Sequence, residues 1–141
     1  MSDTQMDDEL FEEITELCAD GDEHAEEGDY SEALMCYNEA LDLIPEPKRN
    51  WEAATWVYTA IGDAHFMMDD YQGAVDNFHE AYNSPGGATN PFVLLMLGKT
   101  YFELGNTARA KEYLLRAYML EGMTIFEDED PEYFAVIEDV V

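Results

Sequence analysis

One pattern occurs three times in the chain, and it leaves few folds open. At 28–45, "GDYSEALMCYNEALDLIP" places Ala33, Tyr37 and Ala40 at spacings of four and three, on one helical stripe. "DDYQGAVDNFHEAYNSPG" at 69–86 repeats the pattern with Ala74, Phe78 and Ala81. "GNTARAKEYLLRAYMLEG" at 105–122 repeats it with Ala110, Leu114 and Ala117. A second helical segment precedes each stretch and carries a glycine (Gly21, Gly62, Gly98) 12 residues before the first alanine of its set. The turns "EEGDY", "MDDY" and "ELGN" separate the two segments. Alanines on the stripe admit a neighbouring helix at short range, and the central large side chain fills the gap beside them. The spacing predicts that each glycine meets the alanines at the closest helix–helix contact. Three helix–turn–helix units in consistent register predict an all-α helical-repeat solenoid.

A unit with a small residue in its first helix, a Gly-Asp-Tyr-like turn, then Ala, aromatic, Ala and a closing Pro resembles the tetratricopeptide repeat (TPR). The three units run over about 14–47, 55–88 and 91–124, within 8–124. Leu17, Tyr58 and Leu94 stand where the family often has Trp, and Gly86 and Gly122 replace the closing proline seen as Pro45. Units one and two are offset by 41 residues, against the usual ~34 of this repeat. The extra residues lie in "EPKRNWE", where Pro45 and Pro47 stop a helix and Asn50 is placed to cap a longer one starting near Trp51. "NSPGGATNP" at 83–91 reads as a turn. Residues 125–141 read as a C-terminal capping helix with Asp130 as N-cap and Pro131 at its first position, covering the last repeat with Tyr133, Phe134 and Ile137. Residues 1–7 read as a flexible acidic tail.

Charge narrows the choice of partner. Thirty-three acidic residues against 6 Lys and Arg give a formal net charge of -27. No Lys or Arg occurs before Lys48 or after Arg116. Such a surface repels nucleic-acid phosphates and anionic membranes, and it draws in basic proteins. No apolar run is long enough for a membrane span, and the acidic N-terminus is unlike a signal peptide. Cys18 and Cys36 read as reduced thiols of a cytoplasmic protein.

The residues offer little catalytic chemistry. No Gly-rich phosphate loop, nucleophile elbow or zinc-type spacing is present, and no metal or cofactor is expected. His24 and His65 occupy equivalent places and read as packing residues, and His79 reads as half-exposed. The run Glu127–Asp130 lacks the spacing of a calcium loop and reads as a solvated helix start. The chain is therefore expected to bind rather than to catalyse.

In the TPR family the first helices of successive units line a concave groove. Carried onto this sequence by helical spacing, that face holds Asp22 and Glu26 from unit one, Trp56, Asp63 and Phe66 from unit two, and Phe92, Lys99, Phe102 and Glu103 from unit three. Aromatic anchors rimmed by charge suit a protein-binding hot spot; capping segments or a second copy of the chain could instead cover the surface. Family members that bind chaperone C-termini use a carboxylate clamp of basic and amide residues. The matching positions here are Cys18, Asp22, Ala60, Phe92 and Met96, none of them basic, so that role is not expected.

Stretches such as "PEPKRNWEAATWVYTAIGDAHF", "NPFVLLMLGKTYFELGN" and "IFEDEDPEYF" resemble a group of small stand-alone bacterial TPR proteins, some encoded beside polymorphic toxins. That resemblance implies an immunity protein neutralising a cognate toxin, for instance a nuclease whose basic cleft an acidic surface occludes. A chaperone or adaptor holding an extended client in the groove, and a self-assembling scaffold, are the alternatives.

Overall fold

The computed structural model describes residues 6–141. Six helices form three hairpin pairs: α1 (Asp8–Glu26) with α2 (Tyr30–Leu43), α3 (Glu52–Met67) with α4 (Tyr71–Tyr82), and α5 (Pro91–Glu103) with α6 (Thr107–Glu121). The pairs stack in chain order, α2 on α3 and α4 on α5. The short α7 (Pro131–Ala135) follows, flanked by 3-10 turns at Gly122–Phe126 and Glu138–Val140.

The repeated turn has one geometry in all three units. Gly28, Asp69 and Gly105 take φ values of 82°, 62° and 83°, the left-handed region that glycine enters without steric cost. The next residue opens the second helix. Asp70 accepts a hydrogen bond from the Gly73 backbone N–H and Asn106 from that of Arg109, while Asp29 makes no such side-chain bond.

The expected glycine–alanine contact is corrected by the structure. A Cβ on Gly21 would stand 2.5 Å from Tyr37 Cε1, one on Gly62 2.7 Å from Phe78 Cε1, and one on Gly98 2.5 Å from Leu114 Cγ. The glycine therefore makes room for the central large side chain, and the alanines are buried on either side of it. Two apolar clusters result. Ile14, Tyr37, Ile44, Val57 and Ile61 anchor the first, while Phe78, Leu94, Leu97, Leu114 and Ile137 anchor the second. Tyr58 packs against both and joins them.

Three boundaries differ from the sequence reading. The helix α1 starts at Asp8, so the first unit's leading helix is longer than a start near 14 implies. Of the expected tail, residues 1–5 lie outside the described region, Met6 packs on the first cluster, and Asp7 caps α1 by accepting from the Glu9 N–H at 3.1 Å. The inserted residues lead into a helix that starts at Glu52, as expected near Trp51, and α3 at 16 residues is longer than α5 at 13. The expected Asn50 cap is what the structure corrects: Lys48–Asn50 form a 3-10 turn, and Trp51 occupies the cap position of α3. At the other end, Asp130 does cap α7, accepting from the Glu132 N–H at 3.0 Å. The capping segment is nonetheless mostly turns with one five-residue helix, and it seals the last unit by burying Phe126, Tyr133 and Ile137.

Candidate functional site

The first helices of the units form the expected groove, but the chain's own C-terminal segment closes its third-unit end. Tyr133 stacks edge-on against Phe102 with centroids 5.3 Å apart, and its hydroxyl donates to Glu103 Oε2 at 2.7 Å. Lys99 pairs with Glu129, both largely buried, and its ammonium sits 5.2 Å from the Phe66 ring centroid and 5.3 Å from that of Tyr133. Phe66, Lys99, Phe102 and Glu103 are thus occupied by the fold itself. Glu129 turns inward, which corrects its reading as part of a solvated run; Glu127 and Asp128 remain exposed.

The open part lies between α1 and α3. A cleft of about 360 Å³ is lined by Asp22, Glu26, Trp56, Thr59, Asp63 and Phe92, floored by Ala25, Tyr37, Ala60 and Ala64. A second hollow of about 300 Å³ shares Asp22, Trp56 and Ala60 with it and continues along Thr15, Cys18 and Ala19. Trp56 is 48% exposed and Phe92 45%, so both aromatics face solvent at the rim. Phe11 extends the wall, its ring edge-on to Trp56 with centroids 5.8 Å apart. A helix starting near 14 does not reach Phe11; only the observed start at Asp8 carries the face that far.

Three carboxylates surround this space. Asp22 Oδ1 accepts a hydrogen bond from the Tyr37 hydroxyl at 2.6 Å, leaving its second oxygen available. Glu26 is exposed. Asp63 is largely buried, and desolvation raises its pKa; Lys99 opposes the rise and Glu129 reinforces it. Burial and then Asp22 also push the Cys18 thiol up to about 11, so it stays a protonated, weakly nucleophilic thiol. Cys18 and Cys36 are both unbonded.

Among the described residues, Lys99 is the one cation that acts on these acids, through Asp63, and the other Lys and Arg side chains have partners outside the cleft. Lys48 lies 3.6 Å from Glu46 and donates to the Ile44 carbonyl, Arg49 pairs with Glu80, Arg109 with Glu112 and Lys111 with Asp139. Arg116 donates to the Tyr82 hydroxyl and the Ala88 carbonyl. All six Lys and Arg residues are engaged within the fold.

The histidines serve packing and turns. His65 Nδ1 lies 2.9 Å from Asp70 Oδ2, and His79 Nε2 shares a 2.6 Å hydrogen bond with the Tyr101 hydroxyl. His24, Glu27 and Asp29 bring donor atoms within 4.8 Å of one another at an exposed turn. The second unit has Met68 where this trio has Glu27, so the arrangement is not a repeated feature. At the clamp positions Phe92 is exposed and Met96 buried, and no basic group stands at any of the five.

Comparison with known proteins agrees with this architecture. Two family models described as tetratricopeptide repeat match residues 9–84 and 93–122. A C-terminal TPR-containing domain of a putative FK506-binding protein of Plasmodium falciparum superposes with a TM-score of 0.73 at 20% identity, covering 95% of this chain and 90% of that one. The first TPR domain of human RPAP3 gives 0.69 at 20% identity, covering 92% and 98%. The first TPR of Spaghetti (RPAP3) bound to the HSP90 peptide SRMEEVD gives 0.69 at 19%, covering 91% and 92%. Among curated proteins none matches the chain. No helix among the described residues is long and apolar enough to cross a membrane.

Proposed function

The chain belongs to the tetratricopeptide repeat family, and from that premise we propose that it is a non-catalytic module that captures a basic protein on the face formed by α1 and α3. The observation that carries this reading is the cleft itself: Asp22, Glu26 and Asp63 beside exposed Trp56 and Phe92, with every Lys and Arg of the chain already partnered within the fold. One desolvated carboxylate, Asp63, and two exposed ones, Asp22 and Glu26, next to aromatic surface favour a partner that brings positive charge on an apolar stem. The net charge of -27 accelerates its approach.

The HSP90 peptide held by the RPAP3 domain, SRMEEVD, contains three acidic residues. A peptide of that composition meets like charge at the acidic cleft of this chain.

Of the roles expected from the sequence, neutralising a folded basic toxin fits the cleft better than holding an extended client. An extended segment needs a groove running the length of the solenoid. In this chain Tyr133, Glu129 and their partners fill the third-unit end, leaving an open site of single-feature size. A folded domain that projects one basic feature suits that shape.

The test is capture from the host cell at low and high salt, followed by co-expression of the captured protein with and without this chain. A basic partner released by salt, whose growth arrest the chain reverses, is the expected result. Capture of acidic proteins, or capture indifferent to salt, overturns the reading.

A further inference from the structure

The groove contains two sites of the same composition, one filled and one open. The filled site holds Lys99 between the Phe66 and Tyr133 rings at 5.2 and 5.3 Å, with Glu129 as its carboxylate. The open site has Trp56 and Phe92 as aromatics and Asp22, Glu26 and Asp63 as acids, and no cation lines it. Asp63 links the two, since it feels both Lys99 and Glu129 while facing the open cleft.

We propose that the open cleft is a recognition pocket for a single arginine side chain of the partner. A guanidinium there plays the part that Lys99 plays next door. The inference rests on the reading of this face as a binder of basic proteins, and it names the group that enters.

Arginine is favoured over lysine by the placement of the acids. Asp22 and Glu26 project from α1 and Asp63 from α3, so the carboxylates approach from two sides. A guanidinium carries five donors in a rigid plane and can answer several carboxylates while its face lies on an indole; an ammonium is a point charge. Asp22 needs only one further donor, because Tyr37 already holds its other oxygen. The chain itself places a guanidinium against aromatics elsewhere: Arg116 lies 5.3 Å from the Tyr82 centroid and 5.7 Å from that of Tyr113. At about 360 Å³ the cleft has space for a side chain of this length without opening the fold.

The experiment follows the two tryptophan indole N–H signals and the backbone amides of the ¹⁵N-labelled full chain by NMR. N-acetyl-arginine amide, the lysine analogue and the neutral isostere citrulline are titrated separately. The arginine compound should give saturable shifts at Trp56, Asp63 and Phe92. Citrulline should bind at least ~10-fold more weakly, because it lacks the charge that both the rings and the acids require. Trp56→Ala and Asp63→Asn should each abolish the response while leaving the remaining spectrum dispersed. Equal binding of citrulline, equal or tighter binding of the lysine compound, or shifts centred elsewhere overturn the proposal. If a basic partner still binds with salt sensitivity while Asp63→Asn leaves it unaffected, the pocket assignment alone falls; if no basic partner binds, the reading beneath it falls as well.

Discussion

Replacing Gly21 with alanine should destabilise the protein through one identifiable contact. The added Cβ would stand 2.5 Å from Tyr37 Cε1 and 2.8 Å from Cδ1, roughly 1 Å inside ordinary van der Waals range. The ring has little freedom to yield. Tyr37 is buried, and its hydroxyl is tied to Asp22 at 2.6 Å. Overpacking of this kind costs about 2 kcal/mol, and displacing the ring weakens a hydrogen bond worth about 1 kcal/mol. Alanine's better helix propensity returns about 1 kcal/mol. The net loss is about 2 kcal/mol, or a fall in melting temperature of ~8 °C for a domain of this size. Urea unfolding followed by circular dichroism measures it, and a double-mutant cycle identifies the cause. Tyr37→Ala alone costs about 3–5 kcal/mol by leaving a cavity. Adding Gly21→Ala to that variant should recover about 1 kcal/mol, because the new methyl then meets no ring and only the propensity gain remains. Additive losses would refute the claim that the glycine exists to admit the ring.

Asp69 holds the left-handed position that glycine fills in the other two units, so Asp69→Gly should raise stability by about 1 kcal/mol, read as a higher urea midpoint. Tyr133→Phe removes the hydroxyl bonded to Glu103 and should cost about 1 kcal/mol by the same assay, without changing the helical spectrum. Asp63 has a raised pKa in the folded state because of burial, so the native form binds its proton more tightly than the unfolded chain does. Its contribution to stability is full below the unfolded carboxylate pKa of about 3.9 and is lost as pH rises through the raised value. Asp63→Asn should therefore be more stable than wild type near pH 7, with the difference vanishing near pH 3, in thermal melts at both pH values.

Much of the fold was legible because the repeat is written in residue types whose packing roles are local. Ala33, Tyr37 and Ala40, with their counterparts, fix the second helices, and Gly21, Gly62 and Gly98 fix the faces of the first. What failed depended on context. Asn50 has the chemistry of a cap, but the Pro47-led turn ends one residue later and leaves Trp51 in the cap position. Spacing along a helix cannot show what a distant segment covers. Helical spacing alone puts Phe66, Lys99, Phe102 and Glu103 in an open groove, whereas Lys99, Phe102 and Glu103 are engaged by Glu129 and Tyr133, 26 residues and more beyond the last of them, and Phe66 is half-buried under Lys99. A signal was available: Tyr133 and Phe134 in a cap of only a few turns must pack on something, and the third unit's groove face is the nearest apolar surface. Asp22, Glu26, Trp56, Asp63 and Phe92, by contrast, meet in one cleft as their helical spacing requires.

The cleft between α1 and α3 is the proposed binding site of a basic partner. Isothermal titration of the captured, purified partner against wild type and against Trp56→Ala tests it most directly. Trp56 is exposed and outside both apolar clusters, so its removal leaves the fold intact. As a central aromatic anchor it should cost at least ~2 kcal/mol of binding, a loss of about 30-fold in affinity. An unchanged affinity would place the interface elsewhere on the acidic surface.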